Sequence, residues 1–446
     1  MKNSGVEWIG EIPDDWEVKR GKELFFEIND RCKNPENYPL LSVSEYYGVA
    51  PKSEKIDEGD FITHAETLDG YKICQKGDIV QNIMLAWKRA TGMSNYEGLI
   101  SPAYCIYRPY KGIDSKYYHY LFRTDVYADL FKQYSTGIID SRLRLYPAKF
   151  LSLKYAYPPK STQQRIATYL DKKCSKIEET IQNQQQVIEK LKAYKQSLIT
   201  EAVTGKKYHE NCHTDSILLT QNSNEDMKTE IPLGISNPCG SIEFKYCNLS
   251  FIADFKNGLN YNASDFGTEV KFLGVGDFQN YLVLNDESMF SNIITDTEIE
   301  DDYYLKNGDI IFVRSNGSKE LVGRAIMVDN IDFKVTYSGF CIRLRNKEPK
   351  KINSKFLLYF FRSDYFRNEL QRLSQGSNIA NINQDLLSHI KIPLVDIRFQ
   401  ESVVDFLNKK CTAIDTAIEQ KQKLIEKLTE FKKSLIYECV TGKKEI

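Results

Sequence analysis

A stretch of 45 residues occurs twice in this chain of 446 residues, and it constrains the fold more than any other feature. Residues 163–207 align with residues 400–444 without a gap, at an offset of 237 residues, and 22 of the 45 positions are identical. A gapless match of this length indicates a duplicated structural unit. The chain therefore contains one element in two copies.

Both copies carry apolar residues at intervals of three, four and seven positions, which is the pattern of a coiled-coil helix. Neither copy contains Pro or Gly before Gly205 and Gly442, which suit helix ends. Two polar residues interrupt each stripe, as Gln184 and Lys195 do in the first copy, and such residues fix the register of paired helices. The predicted seam residues are Ile177, Ile181, Ile188, Leu191 and Leu198 in the first copy and Ile414, Ile418, Ile425, Leu428 and Leu435 in the second.

We expect two long helices, over residues 162–207 and 399–446, that pack against each other. In the alternative arrangement each helix would pack on its own globular domain. The apolar stripe is too narrow and too long for such one-sided packing, so the paired arrangement is favoured. At about 1.5 Å per residue, a helix of roughly 40 residues would form a rod about 60 Å long.

The segments between the helices also repeat, so the sequence predicts an α+β protein with two tandem globular domains and an internal pseudo-twofold repeat. Residues 1–161 are the first domain, residues 208–243 a polar linker and residues 244–398 the second domain. Both domains contain a Gly-Asp-Ile strand, and Phe-Arg-Thr-Asp at 122–125 recurs as Phe-Arg-Ser-Asp at 361–364. The loops differ more than the predicted strands and helices do, as expected of related domains with different targets.

Composition limits the possible functions. The sequence has no apolar run near the roughly 18 residues that suggest a membrane span, and its N-terminus lacks the apolar core of a signal peptide. We therefore expect a cytoplasmic protein without membrane contact. The formal net charge is −1, so any nucleic-acid contact must come from local basic patches. The spacing of His209, Cys212, His213 and Cys239 matches no compact zinc finger, and we expect no metal site.

Motifs for catalysis are weak. Residues 272–276 fit the F-x-G-x-G pattern of cofactor-binding methyltransferases, but the glycines do not lead into a predicted helix. The pair Pro158-Pro159 lacks the Asn or Asp and the aromatic residue that flank Pro-Pro in DNA amino-methyltransferases. Asp14 and Glu17 are too close in sequence to share a nuclease metal from two strands. We expect no catalytic residue in this chain, and intrinsic DNA methyltransferase activity is the enzyme alternative.

Several short motifs are distributed along the chain. They are EWIGEIPDDWEVKR at 7–20, GDI at 77–79 and 308–310, SRLRLYPAKF at 141–150, the helix entry at 158–164, and VTGKK at 203–207 and 440–444. With these motifs the chain resembles the specificity subunits of type I restriction-modification systems, and the resemblance covers nearly the whole sequence. The second helix entry departs from it because it lacks the Pro-Pro pair, and the second half has no clean copy of the WIGEIP segment.

The resemblance implies a non-catalytic DNA-binding subunit. In that family each globular domain is a target recognition domain for one half of a bipartite DNA site. The helices form an antiparallel coiled coil that sets the gap between the halves. The implied partners are double-stranded DNA, two methyltransferase subunits and restriction or translocase subunits. S-adenosylmethionine would bind to the methyltransferase subunits, and this chain would bind no cofactor. A coiled-coil scaffold that does not recognise DNA is the alternative from another class.

Candidate DNA contacts lie in polar loops, because cations and hydroxyls bind phosphate and side-chain amides suit adenine. In the first domain the candidates are Asn82, Trp87, Lys88, Arg89, Thr136, Ser141, Arg142 and Arg144. In the second domain they are Arg314, Ser315, Asn316, Ser318, Lys319, Ser377, Asn378, Asn381 and Asn383. Each domain thus contributes one segment after its Gly-Asp-Ile strand and one segment closer to its long helix.

Overall fold

The computed structural model of the chain divides into two units. The first consists of Met1–Gln185 and Gln422–Ile446, and the second of Gln186–Lys421. Each unit therefore combines one globular domain with part of each long helix. The predicted linker at 208–243, with its four His and Cys residues, falls outside the described residues. Those are residues 1–32, 35, 38–52, 68, 70–205, 245–260, 267–278, 281–296, 298–315, 321–373 and 381–446.

The domain of the first unit consists of short strands with four short helices among its described residues. In chain order they are β1 (Lys2–Asn3), β2 (Glu11–Ile12), β3 (Glu17–Arg20), α1 (Gly21–Leu24), β4 (Phe25–Ile28), β5 (Leu41–Ser44), β6 (Gly48–Pro51), β7 (Lys72–Cys74), β8 (Ile79–Asn82), β9 (Thr91–Met93), β10 (Gly98–Ile100), β11 (Tyr104–Pro109), α2 (Ser115–Phe122), α3 (Asp125–Tyr134), α4 (Pro147–Ser152) and β12 (Lys154–Tyr157). The long helix α5 (Lys160–Thr204) follows. The predicted Gly-Asp-Ile strand of this domain is confirmed as β8.

The main sheet of this unit is antiparallel, with the strand order β4-β11-β8-β9. Successive residues of β8 face two different cores, as the period of two in a strand requires. Ile79 belongs to the aromatic core that contains Phe122 and Tyr155, whereas Val80 packs in a smaller cluster with Leu41. The sheet is therefore covered on both faces where β8 begins.

The second unit repeats this plan with added strands. Its elements are β13 (Lys245–Asn248), β14 (Ala253–Asn257), β15 (Thr268–Leu273), β16 (Val283–Leu284), β17 (Ser291–Thr295), β18 (Ile310–Val313), β19 (Ala325–Val328), β20 (Val335–Tyr337), β21 (Cys341–Asn346), α6 (Ser354–Phe361), α7 (Asp364–Leu373), α8 (Gln384–Ser388), β22 (Lys391–Leu394) and the long helix α9 (Ile397–Val440). Its main sheet has the order β14-β21-β18-β19-β16, and a second sheet has the order β17-β15-β20.

An ion pair with a buried aspartate marks the repeat inside the two main sheets. Asp78, just before β8, accepts from Arg108 Nε at 2.9 Å. Asp309, just before β18, accepts from Arg345 Nε at 2.8 Å. Both aspartates are buried, whereas both arginines are half-buried. The predicted duplication of the globular domains is thus confirmed at the level of individual contacts.

Each long helix is attached to its domain by a buried glutamine near its start. Gln163 Oε1 accepts from the backbone N–H of Asp114 at 2.9 Å, and its Nε2 donates to Pro158 O at 2.8 Å. Gln400 Oε1 accepts in the same way from the N–H of Asn353 at 2.8 Å. Asp114 and Asn353 are the N-caps of α2 and α6. The glutamine therefore joins the long helix to the cap of the first major helix in each domain.

The helix bounds differ slightly from those predicted. The first helix starts at Lys160, directly after the Pro-Pro pair, so Thr162 is inside the helix. The second starts at Ile397, where the Asp396 carboxylate accepts from the N–H of Arg398 at 2.9 Å. Gly205 and Gly442 follow the ends with φ of 74° each, a conformation that glycine adopts without strain.

The two long helices pack against each other in an antiparallel sense within each unit. In the first unit Glu178 of α5 pairs with Lys432 near the end of α9. In the second unit Lys195, near the end of α5, pairs with Asp415 in the first half of α9 at 2.6 Å. The internal repeat relates the two lysines to each other and the two acids to each other, since both offsets are 237 residues. The predicted antiparallel coiled coil is therefore confirmed.

The predicted seam residues are all at least partly buried. The buried members are Ile177, Ile188, Leu198, Ile414, Ile425 and Leu435, and the half-buried members are Ile181, Leu191, Ile418 and Leu428. The helices also contact the domains, because Tyr120 Oη donates to Asp171 at 2.8 Å and Gln196 Nε2 donates to Arg362 O at 2.7 Å. Each long helix thus packs both against the other long helix and against a globular domain.

Candidate nucleic-acid interface

In the first unit, two of the predicted segments lie side by side. The backbone N–H of Leu145 donates to Ile83 O at 2.9 Å, which places the loop before α4 against the segment after β8. Lys132 of α3 lies between them, with its Nζ 4.8 Å from the centre of the Trp87 ring and 3.0 Å from Asp140 Oδ2. We call the exposed region formed by residues 83–89 and 135–145 the first junction surface.

The second unit brings the corresponding segments together in the same way. The N–H of Ile382 donates to Arg314 O at 2.9 Å, and Ser315 and Asn381 form an antiparallel bridge. These residues, at 314–315 and 381–383, form the second junction surface. Because β8 and β18 are equivalent strands, the two surfaces occur at the same place in the fold.

The structure corrects the prediction for Asn82. Its side chain is buried at the end of β8, and its Oδ1 accepts from the N–H of Met84 at 3.1 Å. An Asn side chain that accepts from a backbone N–H two residues further on stabilises a turn. Asn82 therefore shapes the start of the first junction surface and is not exposed for contact with bases.

The neighbouring candidates differ in exposure. Trp87 is half-buried and its indole N–H donates to Met84 O at 3.0 Å, so one side of the ring packs on the core. Lys88 is exposed. Arg89 has φ of 67° and its guanidinium pairs with Asp125 at the start of α3. The Arg89 side chain is still 37% exposed, so its role in binding phosphate stays a prediction.

The loop before α4 is short and closed at its base. Thr136 and Arg144 exchange two backbone hydrogen bonds, of 2.9 and 3.0 Å. Thr136, Ser141 and Arg142 are exposed, whereas Arg144 is half-buried and its Nη1 donates to Leu143 O at 2.9 Å. Arg142 is therefore the cation of this loop that is most available to a phosphate.

In the second unit the described candidates have three different roles. Arg314 and Ser315 are half-buried beside the exposed Asn381. Asn383 caps α8, because its Oδ1 accepts from the N–H of Leu386 at 2.7 Å. Asn383 is exposed, so its contact with a base stays a prediction beside this capping role. The remaining candidates fall outside the described residues: Asn316, Ser318, Lys319, Ser377 and Asn378.

Sequence reasoning missed exposed apolar side chains on both junction surfaces. Ile138 is 99% exposed and Ile139 is 54% exposed, at the tip of the loop between Thr136 and Arg144. Phe340 is 58% exposed in the second unit, and its carbonyl oxygen accepts from the N–H of Arg314 at 2.8 Å. An Ile-Ile pair inside a polar loop was the available signal for the first unit, and no local signal marked Phe340.

An arginine of the repeated Phe-Arg-Thr/Ser-Asp motif stabilises the region behind each surface. Arg123 donates to Arg89 O at 2.7 Å and to Glu45 O at 2.9 Å. Arg362 donates to Ala325 O at 2.8 Å and to a further carbonyl oxygen at 2.7 Å. Burial lowers the pKa of each guanidinium to about 10. These arginines hold backbone segments together and are not available to DNA.

No group of three or more His, Cys, Asp or Glu side chains in the described ranges could hold a metal ion. Among the same residues, no helix has the length and apolar character needed to cross a membrane.

Comparison with known proteins agrees with this architecture. Residues 242–430 match the family model for the type I restriction modification DNA specificity domain. The type I restriction enzyme StySPI specificity subunit of Salmonella potsdam is 26% identical over 382 residues, which cover 82% of this chain and 74% of that protein. The MjaVIII specificity subunit of Methanocaldococcus jannaschii is 25% identical over 463 residues, covering 97% of this chain and 93% of that one.

A solved structure shares the fold. One chain from a study of complex assembly and conformational transition of the type I R-M system has a TM-score of 0.68 and 12% sequence identity. The match covers 97% of this chain and 100% of that chain. Over most of its length the chain is therefore similar to specificity subunits of type I restriction-modification systems, and residues 242–430 match their DNA specificity domain.

Proposed function

We propose that this chain is the DNA-recognition subunit of a type I restriction-modification complex and that each globular domain binds one half of a bipartite duplex site. The observation that carries this proposal is the recurrence of the junction surface at the same place in both domains. The first presents Ser141 and Arg142, whereas the second presents Ser315 and Asn381. A shared framework with different exposed side chains is what two half-sites of different sequence require.

The paired helices would set the gap between the half-sites. In dimeric DNA-binding proteins the geometry of the dimer fixes the spacing of the half-sites, and a pair of continuous helices can do so within one chain. The ion pairs Lys195–Asp415 and Glu178–Lys432 support this role. Charged pairs between helices select one register and orientation.

The outer faces of the same helices would bind the methyltransferase subunits. Leu424 and Phe431 are exposed on α9 and lie seven residues apart, which places them on one face. Their equivalents on α5 are Val187, which is half-buried, and Tyr194, which is exposed. The chain thus carries the same apolar pattern twice, which supports the binding of two copies of one partner.

Methylation and cleavage would then belong to partner subunits in the cytoplasm. The methyltransferase subunits would bind S-adenosylmethionine, and restriction subunits would join through the assembled complex. This chain would contribute binding energy and geometry, for which it needs no cofactor of its own.

The test is to purify the chain with its methyltransferase subunit and to methylate a pool of random duplexes. Recovery of a gapped two-part sequence is the expected result. Uniform or absent methylation would favour the coiled-coil scaffold that does not recognise DNA. Methylation by this chain alone would instead establish the enzyme alternative.

A further inference from the structure

We propose that Ile138 is an apolar wedge that the first domain presses against the base stack of its half-site. This inference rests on the proposed DNA-recognition function. It adds a residue whose binding depends on how easily the DNA sequence is deformed. Ile138 is 99% exposed and therefore contributes almost nothing to the folded core. Single exposed apolar residues are common on proteins. The position of Ile138 is what distinguishes it from them.

Ile138 is at the tip of a loop that is held rigidly. The paired backbone of Thr136 and Arg144 closes the loop, and Leu143 and Leu145 are buried beneath it. A Cβ atom added to Gly137 would lie 2.5 Å from Arg142 O, so the two sides of the loop touch. A loop that is already ordered loses little conformational entropy when it binds.

The surroundings of the tip match nucleic acid better than protein. The exposed Arg142 and Ser141 lie four and three residues from Ile138 on the returning side of the loop, and both side chains suit phosphate. Lys88 extends the positive charge along the same junction surface, whereas Lys132 is neutralised by Asp140 of the loop. The core of a protein–protein interface is depleted of charged residues and belongs to a patch of about 800 Å² per partner. One isoleucine pair among charged side chains does not form such a patch.

An apolar tip beside cations has a known physical use in DNA binding. Isoleucine and similar side chains enter between base steps, partly unstack them and bend the duplex. The cost of unstacking depends on the sequence of the step, so the wedge contributes specificity without a hydrogen bond to a base. Pyrimidine–purine steps unstack most easily and would be preferred opposite Ile138.

The test uses the full complex with the methyltransferase subunit and duplexes that carry 2-aminopurine at single positions of the first half-site. The methylated base is avoided, because a base-flipping enzyme extrudes it. The wild-type complex should show increased fluorescence at one step, and Ile138→Ala should abolish the increase and weaken binding about tenfold. Phe340→Ala is the matched control, since it removes an exposed apolar side chain from the other domain and should leave the signal of the first half-site unchanged.

Three results would overturn the proposal. The wild-type complex could show no unstacked step in the first half-site although it methylates a gapped sequence. The Ile138→Ala complex could bind and unstack DNA as the wild type does. Ile138→Ala could also lose the methyltransferase subunit in sedimentation, which would make the tip a protein contact. Failure of the proposed function would differ from all three, because the wild type would then recover no gapped sequence.

Discussion

Lys195 Nζ lies 2.6 Å from Asp415 Oδ2 across the helix pair, and the repeat-related residues Lys432 and Glu178 form the same contact in the other unit. Lys195 and Lys432 are the polar residues that interrupt the two apolar seams. In each case the lysine crosses to an acidic residue on the partner helix, next to a buried seam isoleucine. The duplicated sequence therefore specifies its own antiparallel partner through charge as well as through apolar packing.

We expect Lys195→Glu to lower the free energy of unfolding by about 1 kcal/mol, because an exposed ion pair contributes about 0.2–1 kcal/mol and like charges oppose pairing. The double variant Lys195→Glu/Asp415→Lys should recover most of the loss. Urea denaturation of the four proteins gives the coupling energy. Lys192→Glu is the control, because Lys192 pairs with Glu189 on its own helix. If Asp415→Lys rescued Lys192→Glu equally well, the interaction would not be specific.

Lengthening both long helices should widen the gap between the two half-sites without changing the sequence of either half-site. One heptad inserted after Gln186 in α5 and after Lys423 in α9 falls midway between the two ion pairs and preserves their register. Seven residues add about 10 Å, which corresponds to about three base pairs at 3.4 Å each. An inserted heptad also rotates the apolar seam around the helix axis by only about 20°.

The gap is measured by mapping the methylated sequence of the lengthened complex. A longer gap between two unchanged half-sites is the expected outcome. Altered half-sites, or an unchanged gap in an active complex, would contradict the spacing role of the helices.

Two asparagines only two residues apart should behave differently. Asn381 is exposed beside Ser315. Asn381→Ala should therefore reduce the discrimination against wrong bases in the second half-site, by about 1–3 kcal/mol per lost base contact. Asn383 caps α8, so Asn383→Ala should cost about 1 kcal/mol of stability and leave the half-site unchanged. Motif mapping and urea denaturation separate the two effects. If Asn381→Ala reduced the sequence specificity of both half-sites equally, Asn381 would position the DNA and would not contact a base.

His119 should make the first unit less stable in acid. Burial, followed by the nearby Arg123 and Lys116, lowers the pKa of its imidazole to about 3, and its Nδ1 accepts from the N–H of Met93 at 3.2 Å. An unfolded histidine takes up a proton below about pH 6.5. Between about pH 6.5 and 3, only the unfolded state therefore carries this proton. The free energy of unfolding should fall as pH falls, by at most about 1.4 kcal/mol per pH unit.

His119→Asn keeps an acceptor for Met93 but cannot titrate, so it should reduce this slope. Urea denaturation at pH 7.5 and 5.5 measures the change. Tryptophan fluorescence reports on the first unit, because all three tryptophans, Trp8, Trp16 and Trp87, lie there. An equal slope in the variant and the parent protein would show that another group controls the acid sensitivity.

Local patterns predicted the parts of this fold that depend on periodicity. The seam residues were identified from spacing alone, because a coiled coil repeats the same environment every seven residues. The repeated Gly-Asp-Ile and Phe-Arg motifs located the equivalent strands and helices, although they did not reveal what Asp78 or Arg123 contacts.

The roles of individual loop residues could not be predicted, because their partners are distant in sequence. Arg89 pairs with Asp125, 36 residues away, and no local pattern marks that contact. The capping role of Asn383 is different, since an Asn before Gln-Asp-Leu-Leu matches the N-cap pattern and this role could have been predicted. The exposure of Ile138 depends on how tightly the loop closes, which composition does not determine.

The buried glutamines at the starts of α5 and α9 have a mechanical consequence. Gln163 and Gln400 each bind both the turn that leads into the long helix and the cap of a domain helix. Each long helix is therefore tied to its domain on two sides of one residue, so a load on the domain would pass into the helix. Strain from an imperfect target would then reach the surfaces of the rods, where the catalytic partners are proposed to bind.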